Sequence, residues 1–379
     1  MKICMVISTP FPPKEGIGYY TYNLSRKLID KGHEIVVITR GSFKKTQREV
    51  IDGIEVIRAP FIPIYPLYIK LHSIFVNKIF KSLESTVDIV HIHTPLSPLI
   101  KTDLPIITTV HTPMLTDNRY IKISSFYSFL SKISARLVSY PLELKLLHNS
   151  NTITTVSKSI SDELKENYVH SDKIKIVGNG VDENFFNFTH KRFQDDKKYI
   201  LYVGRIDREK GLFDLLECAK YICNDRSDVF FILAGLGRDL NNLKKRVKKE
   251  NLHDRFTFLG QVNKDQLVKL YQKSTLFVFP SYHEGLPSVI LEAMSCGLPV
   301  ITTNVRGNRD LISDRENGIM VPPRNPKKLA KTISSLLDNK KLCETFSKKA
   351  REIIEKNYTW DLISSRFLKY YELLMEAKP

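Results

Sequence analysis

A chain of 379 residues, 42% hydrophobic and 26% charged, has the composition of a soluble globular protein and is too long for one ordinary core, so two lobes of roughly 150 to 200 residues are expected. No apolar run reaches the about 20 residues that a bilayer-spanning helix needs, and five scattered cysteines without a C-x-x-C pair argue against a disulfide framework and for reduced thiols in the cytoplasm. The net charge of +17, with 23 basic against 17 acidic residues before position 190 and 35 against 24 after it, favours a nucleotide, a nucleic acid or a membrane face as partner; the basic residues spread over both halves without a common nucleic-acid motif, which speaks against nucleic acid.

Met1 to Ile7 is short and runs straight into a turn, so it reads as a first strand over 2–8 and not as a signal peptide. Glu15-Gly16-Ile17-Gly18 then opens a helix over 18–31. Gly16 and Gly18 form only a G-x-G fragment, because Thr21 stands where a dinucleotide fingerprint has its third glycine. Further strands are expected over 34–40, 54–58, 87–93, 105–111, 151–157 and 174–177. His91 and His93 alternate along one of them and, lacking a third ligand, read as core or cleft lining. His111 ends the strand 105–111. Two segments, Ile62 to Leu83 and Asn118 to His148, mix aromatic and aliphatic residues with lysine and arginine. That mixture suits an anionic membrane surface, and equally suits amphipathic helices with basic outer faces.

The polar stretch Asn184 to Lys198 reads as a linker. Beyond it, strands are expected over 199–204, 229–234, 256–259, 275–280 and 298–303. Helical spacing covers 159–168, 211–223, 238–250, 264–273 and 326–338. Strands alternating with helices predict parallel sheets covered on both faces. Arg205 and Lys210 follow the strand 199–204, and a planar fork beside a compact charge suits phosphate. Gly235-Leu236-Gly237-Arg238 again lacks the third glycine of a dinucleotide fingerprint, because Leu240 replaces it. Arg306 to Arg309 form a basic turn after 298–303, open to phosphate contact or helix capping.

The richest stretch is Ser281 to Met294. An apolar strand leads into Gly285, which permits a tight turn, and Pro287 suits the first position of a helix that Gly297 and Pro299 then stop. The free N–H groups at that helix start form a site for an anion. Glu284 and Glu292, eight positions apart, flank it. An ionised carboxylate only accepts hydrogen bonds, so sugar hydroxyls are its natural partners beside a phosphate.

Glu284 and Glu292 resemble the E-x7-E signature of retaining nucleotide-sugar glycosyltransferases of the GT-B fold (family 4-like). Arg205 with Lys210, Asn179-Gly180-Val181-Asp182, and Gly235 to Gly237 are similar to further motifs of that family. The resemblance implies an α/β fold of two Rossmann-like lobes facing across a cleft. An acceptor lobe would span 1–185 and a nucleotide-sugar lobe 195–359, with the last helix, about 360–379, crossing back to the first. It implies Glu292 on the ribose, Arg205 and Lys210 on the diphosphate, and Glu284 with the Leu286, Pro287 and Ser288 turn on the sugar and phosphate. Gly16, Gly18 and His111 would approach the donor, and Gly235 and Val262 would flank the base. The donor would be a UDP- or GDP-sugar, with no bound cofactor and no metal. The acceptor would be a saccharide or a lipid-linked glycan held at the inner face of the cell membrane. An epimerase or phosphorolytic enzyme on the same architecture stays open. A dinucleotide oxidoreductase is disfavoured by both glycine loops.

Overall fold

The structure is a computed structural model that describes residues 1–13, 16–43, 45–64, 66–114, 132–167, 171–189 and 196–377. Glu15, residues 118–131 of the second basic segment and 190–195 of the expected linker lie outside the described residues. The chain divides into two compact units, Met1–Asn179 with Trp360–Pro379, and Gly180–Thr359.

The first unit holds one sheet of eight strands: β1 Lys2–Val6, β2 Glu34–Arg40, β3 Gln47–Ile51, β4 Ile54–Ala59, β5 Ile89–Thr94, β6 Ile106–Val110, β7 Thr152–Thr155 and β8 Ile174–Ile176. Their order is β3-β4-β2-β1-β5-β6-β7-β8. Only β3 runs antiparallel to its neighbour. The inner strands β1 and β2 are mostly apolar and buried because both faces are covered. On one face Val6, Val36, Ile38, Ile57 and Ile92 pack with Val76 and Phe80 of the helix Tyr68–Lys81. Elsewhere in this unit the helix Gly16–Asp30 buries Tyr20, Leu24 and Leu28, and the last helix, Trp360–Glu376, buries Trp360, Ile363, Phe367 and Tyr371. Tyr20 and Trp360 meet edge to face, with centroids 5.2 Å apart.

The second unit holds six parallel strands: β9 Lys198–Val203, β10 Val229–Ala234, β11 Phe256–Gly260, β12 Leu276–Phe279, β13 Val300–Thr303 and β14 Ile319–Val321. Their order is β11-β10-β9-β12-β13-β14, which, counted within the unit, is the 3-2-1-4-5-6 order of a Rossmann fold. Three helices of this unit begin at a side-chain cap. Asn263 forms a capping box with Gln266 ahead of Lys264–Lys273, and Asn325 and Asn339 cap Pro326–Leu337 and Lys340–Asn357.

In both sheets the strand order reverses at one point, between β1 and β5 and between β9 and β12. Loops leaving opposite ways there open a crevice at the carboxyl ends of the strands, where open α/β sheets bind ligands. Gly16 and Gly18 follow β1, and His111 follows β6. Arg205 and Lys210 follow β9, and Glu284 follows β12.

Candidate active site

In the second unit β9 and β12 lie side by side, with Leu276 opposite Ile200 and Phe277 opposite Leu201. That pairing brings together two loops far apart in sequence. The Tyr282 amide donates to the carbonyl of Glu209 at 2.9 Å. One residue on, Lys210 Nζ donates to Glu284 Oε1 at 2.6 Å. Both side chains are mostly buried, at 13% and 12% exposure, and the Lys210 ammonium also lies 6.0 Å from the centre of the Phe279 ring. Arg205 stands in the same loop but more openly. It pairs with Asp207 at 3.1 Å and Glu209 at 3.4 Å while 66% exposed. Buried Asp207 is itself fixed by the Arg238 amide at 2.9 Å.

The loop bearing Glu284 is held from the next crossing. Arg306 Nε donates to the Glu284 carbonyl at 3.2 Å, and its guanidinium meets His283 Nε2 at 2.7 Å. Gly307 lies so close beneath that an added Cβ would sit 2.3 Å from the Gly285 carbonyl oxygen. Its φ of +77° also disfavours any other residue. From the start of the 306–309 turn, Arg306 braces the glutamate loop.

Leu286 and Pro287 are buried and Ser288 is exposed. Pro287 occupies the position before the helix Ser288–Ser295, and no side chain caps that helix. Its first N–H groups lack acceptors within the helix, which gives an anion a place to bind.

Glu292 lies further along this helix. Tyr271, fully buried on the helix Lys264–Lys273, donates its hydroxyl to Glu292 Oε2 at 2.9 Å and lies 3.3 Å from the Val289 carbonyl. Burial pushes the Glu292 carboxyl up to about 7, against the pull of the Tyr271 hydroxyl and of Lys264. Sequence reasoning passed over Tyr271 because a tyrosine on an amphipathic helix carries no signal of its hydroxyl's partner. Gly235, at φ +143°, packs so tightly that a Cβ would stand 1.9 Å from the Gly204 carbonyl oxygen. Its amide donates to the Gly260 carbonyl at 2.7 Å. The ends of β9, β10 and β11 are thus drawn together, with half-buried Val262 just beyond.

The first unit places its residues separately. Gly16 is exposed, with open space where a Cβ would stand, whereas Gly18 packs against Pro10 and Pro13. His111 Nε2 faces His93 Nδ1 at 3.3 Å, and its ring meets Tyr20 edge to face at 4.7 Å. His91 and His93 are wholly buried. Burial pushes His91 and His111 down to about 3 and His93 well below the usual range. Among the described residues no group of three or more His, Cys, Asp and Glu side chains is placed to hold a metal ion.

Two family profiles match this chain. Glycosyltransferase Family 4 covers residues 14–185 and Glycosyl transferases group 1 covers residues 183–353. With the two Rossmann-like sheets, they establish that the chain belongs to the glycosyltransferases of the GT-B fold. An uncharacterized glycosyltransferase of Methanocaldococcus jannaschii is 28% identical over 99% of both chains. Glycogen synthase of Mycobacterium tuberculosis is 25% identical over 98% of this chain and 94% of its own. Among solved structures, sucrose-phosphate synthase from Thermosynechococcus elongatus superposes with a TM-score of 0.84 at 22% identity, covering 100% of each chain. Anabaena HepE in complex with UDP-glucose superposes with a TM-score of 0.74 at 16% identity, covering 98% of this chain and 100% of its own.

Proposed function

We propose that the protein moves a hexosyl group from a nucleotide-diphosphate sugar, UDP- or GDP-linked, to a saccharide or lipid-linked glycan with retained anomeric configuration. The observation that carries this reading is the Lys210–Glu284 pair at 2.6 Å, set at the switch point of the second sheet just ahead of an uncapped helix N-terminus. A cation, a carboxylate and free amides there match the needs of a diphosphate joined to a sugar. Glycogen synthase among the relatives, and the UDP-glucose bound to the HepE structure, support the same substrate class.

In this reading Lys210 and Arg205 stabilise the charge that develops on the departing diphosphate, together with the first amides of the helix Ser288–Ser295. Glu292 accepts hydrogen bonds from the ribose hydroxyls, and Glu284 accepts one from the sugar. Gly235 and Val262 flank the base. The first unit is assigned the acceptor, with Gly16, Gly18 and His111 serving the donor sugar. His111 is neutral at working pH, so it positions by hydrogen bonding and carries no charge. The leaving phosphate takes the acceptor's proton on the face it departs from, and catalysis rests on positioning and electrostatics. The cations that neutralise the diphosphate come from the protein, so turnover is expected to persist in chelator.

A panel of UDP- and GDP-hexoses tests this directly. The true donor raises the melting temperature, because it binds only the folded chain. With a glycan acceptor and chelator present it releases nucleoside diphosphate, and proton NMR of the product shows the donor's anomeric configuration. An inverted product, or strict dependence on a divalent cation, would overturn the mechanism. Donor consumption without acceptor would identify an epimerase or a phosphorolytic enzyme.

A lipid-linked acceptor is favoured by the helix Tyr68–Lys81. Its buried face carries Ile69, His72, Val76 and Phe80, while Lys70, Ile74, Lys78 and Lys81 form an exposed stripe beside Leu67. Lysines interleaved with aliphatic side chains suit an anionic bilayer surface. The protein is expected to co-sediment with phosphatidylserine-containing vesicles, less so as salt rises. Lys70→Ala/Lys78→Ala should weaken that binding about thirtyfold, at about 1 kcal/mol per lysine. Equal sedimentation of both proteins would move the reading to a soluble acceptor.

A further inference from the structure

Three histidines of the first unit form a stacked column. The rings of His91 and His93 lie 4.2 Å apart, and those of His93 and His111 lie 5.5 Å apart. His91 has both nitrogens engaged, Nδ1 by the Tyr371 hydroxyl at 2.6 Å and Nε2 by the Thr109 hydroxyl at 2.7 Å. Each of these hydroxyls can donate or accept, so His91 constrains nothing further along. His93 differs. Its Nδ1 faces His111 Nε2 at 3.3 Å, and its Nε2 is buried without a hydrogen-bond partner.

A neutral imidazole carries one ring hydrogen, and burial keeps both His93 and His111 neutral. The hydrogen bond at 3.3 Å between them uses one hydrogen, which leaves two arrangements. If His111 Nε2–H donates, His93 Nδ1 must accept, and the His93 hydrogen is forced onto Nε2, where it has no acceptor. If His93 Nδ1–H donates, His93 Nε2 keeps only a lone pair, and the His111 hydrogen lies on Nδ1. Orphaned buried N–H groups are the rarer state in folded proteins. The second arrangement is therefore selected.

We infer that His93 is a positioning residue that fixes the ring tautomer of His111, so that His111 presents Nδ1–H as a donor at the end of β6. A donor there recognises an acceptor oxygen, as on a sugar hydroxyl, and cannot serve as a general base. The inference rests on the proposed function only for the role of that oxygen; the tautomer follows from the first unit alone.

The test is long-range proton–nitrogen NMR on the full chain labelled with nitrogen-15 histidine, with the His111 ring assigned by its loss in His111→Gln. The wild type is expected to show His111 protonated at Nδ1. His93→Asn, whose amide reaches the Nδ1 position, should keep that tautomer. His93→Gln, whose amide reaches the Nε2 position instead, should shift His111 toward Nε2–H and lower kcat about five- to tenfold, the size of one neutral hydrogen bond. A wild-type ring protonated at Nε2 would overturn the inference without any variant, and so would an unchanged tautomer in His93→Gln. If the tautomer shifts as expected while His111→Gln retains full activity, the tautomer assignment stands and the donor role of His111 fails.

Discussion

Lys210→Ala is expected to lower kcat/KM for the sugar donor at least about a hundredfold, the loss typical of removing one charge-stabilising contact from a water-poor site. Lys210 is 13% exposed and sits 2.6 Å from Glu284 Oε1. Solvent can therefore do little to replace its charge when a diphosphate departs. Glu284→Ala and Arg205→Ala are expected to show losses of similar size, since each removes a group assigned to the reacting portion of the donor. The Lys210 variant also leaves the Glu284 carboxylate mostly buried without its partner, which destabilises the fold. Kinetics should therefore be read beside melting curves, and Lys210→Ala/Glu284→Ala completes the cycle. A pair acting as one unit costs less together than the sum of its single losses. Rates near wild type in all three single variants would remove the basis for sugar transfer at this site.

Nucleotide affinity is expected to rise about tenfold between pH 6 and pH 8. Burial holds the Glu292 carboxyl at about 7, above its ordinary 4.5. At pH 6 roughly a tenth of it is ionised and at pH 8 roughly nine tenths, and apparent affinity scales with that competent fraction. Ribose hydroxyls donate hydrogen bonds, so they favour the ionised form. Calorimetry with UDP or GDP across this range should show the rise in wild type and a flat, weaker profile in Glu292→Gln. Tyr271→Phe removes the hydroxyl that draws the carboxyl down, so its midpoint should move to higher pH. Stability runs the other way. The folded state keeps the Glu292 proton where the unfolded chain has lost it, so this group's contribution falls as pH rises from about 4.5 through about 7. A flat wild-type affinity profile would detach Glu292 from the nucleotide.

Much of the second unit is legible in its sequence because its signals are local. The apolar run 275–280 becomes β12, and the glycine–proline turn becomes the start of Ser288–Ser295, with Pro287 one position ahead of the helix where the sequence placed it at the first helical residue. Asn263 announces Lys264–Lys273 by its capping box. β3 escapes the apolar-run criterion because Gln47 to Val50 are exposed at a sheet edge. Its signal is instead the Asp52-Gly53 turn, with φ of 49° and 81°, the conformation that closes tight hairpins. The helix Lys340–Asn357 is similarly quiet, since Cys343, Phe346, Ser347, Ala350 and Ile354 carry its buried stripe among many charges.

The inner contacts of the candidate site were less readable. Motif resemblance groups Lys210 with Glu284, but their direct pairing across 74 residues depends on β9 lying beside β12, which no local pattern states. The same holds for Arg306, which reaches the Glu284 carbonyl only because β13 lies next to β12. The tautomer of His111 likewise depends on β5 beside β6, with His93 opposite Thr109.

The brace formed by Arg306 and Gly307 has a practical corollary for anyone exchanging specificity loops between such enzymes. The stretch 281–292 contains both carboxylates, yet the posture of the first is dictated by a downstream neighbour packed so closely that a Cβ added at Gly307 would lie 2.3 Å from the Gly285 carbonyl oxygen. Grafted alone onto another parallel sheet, the segment would bring its chemistry without its shape. The transplantable module is the larger one, from β12 through residue 308.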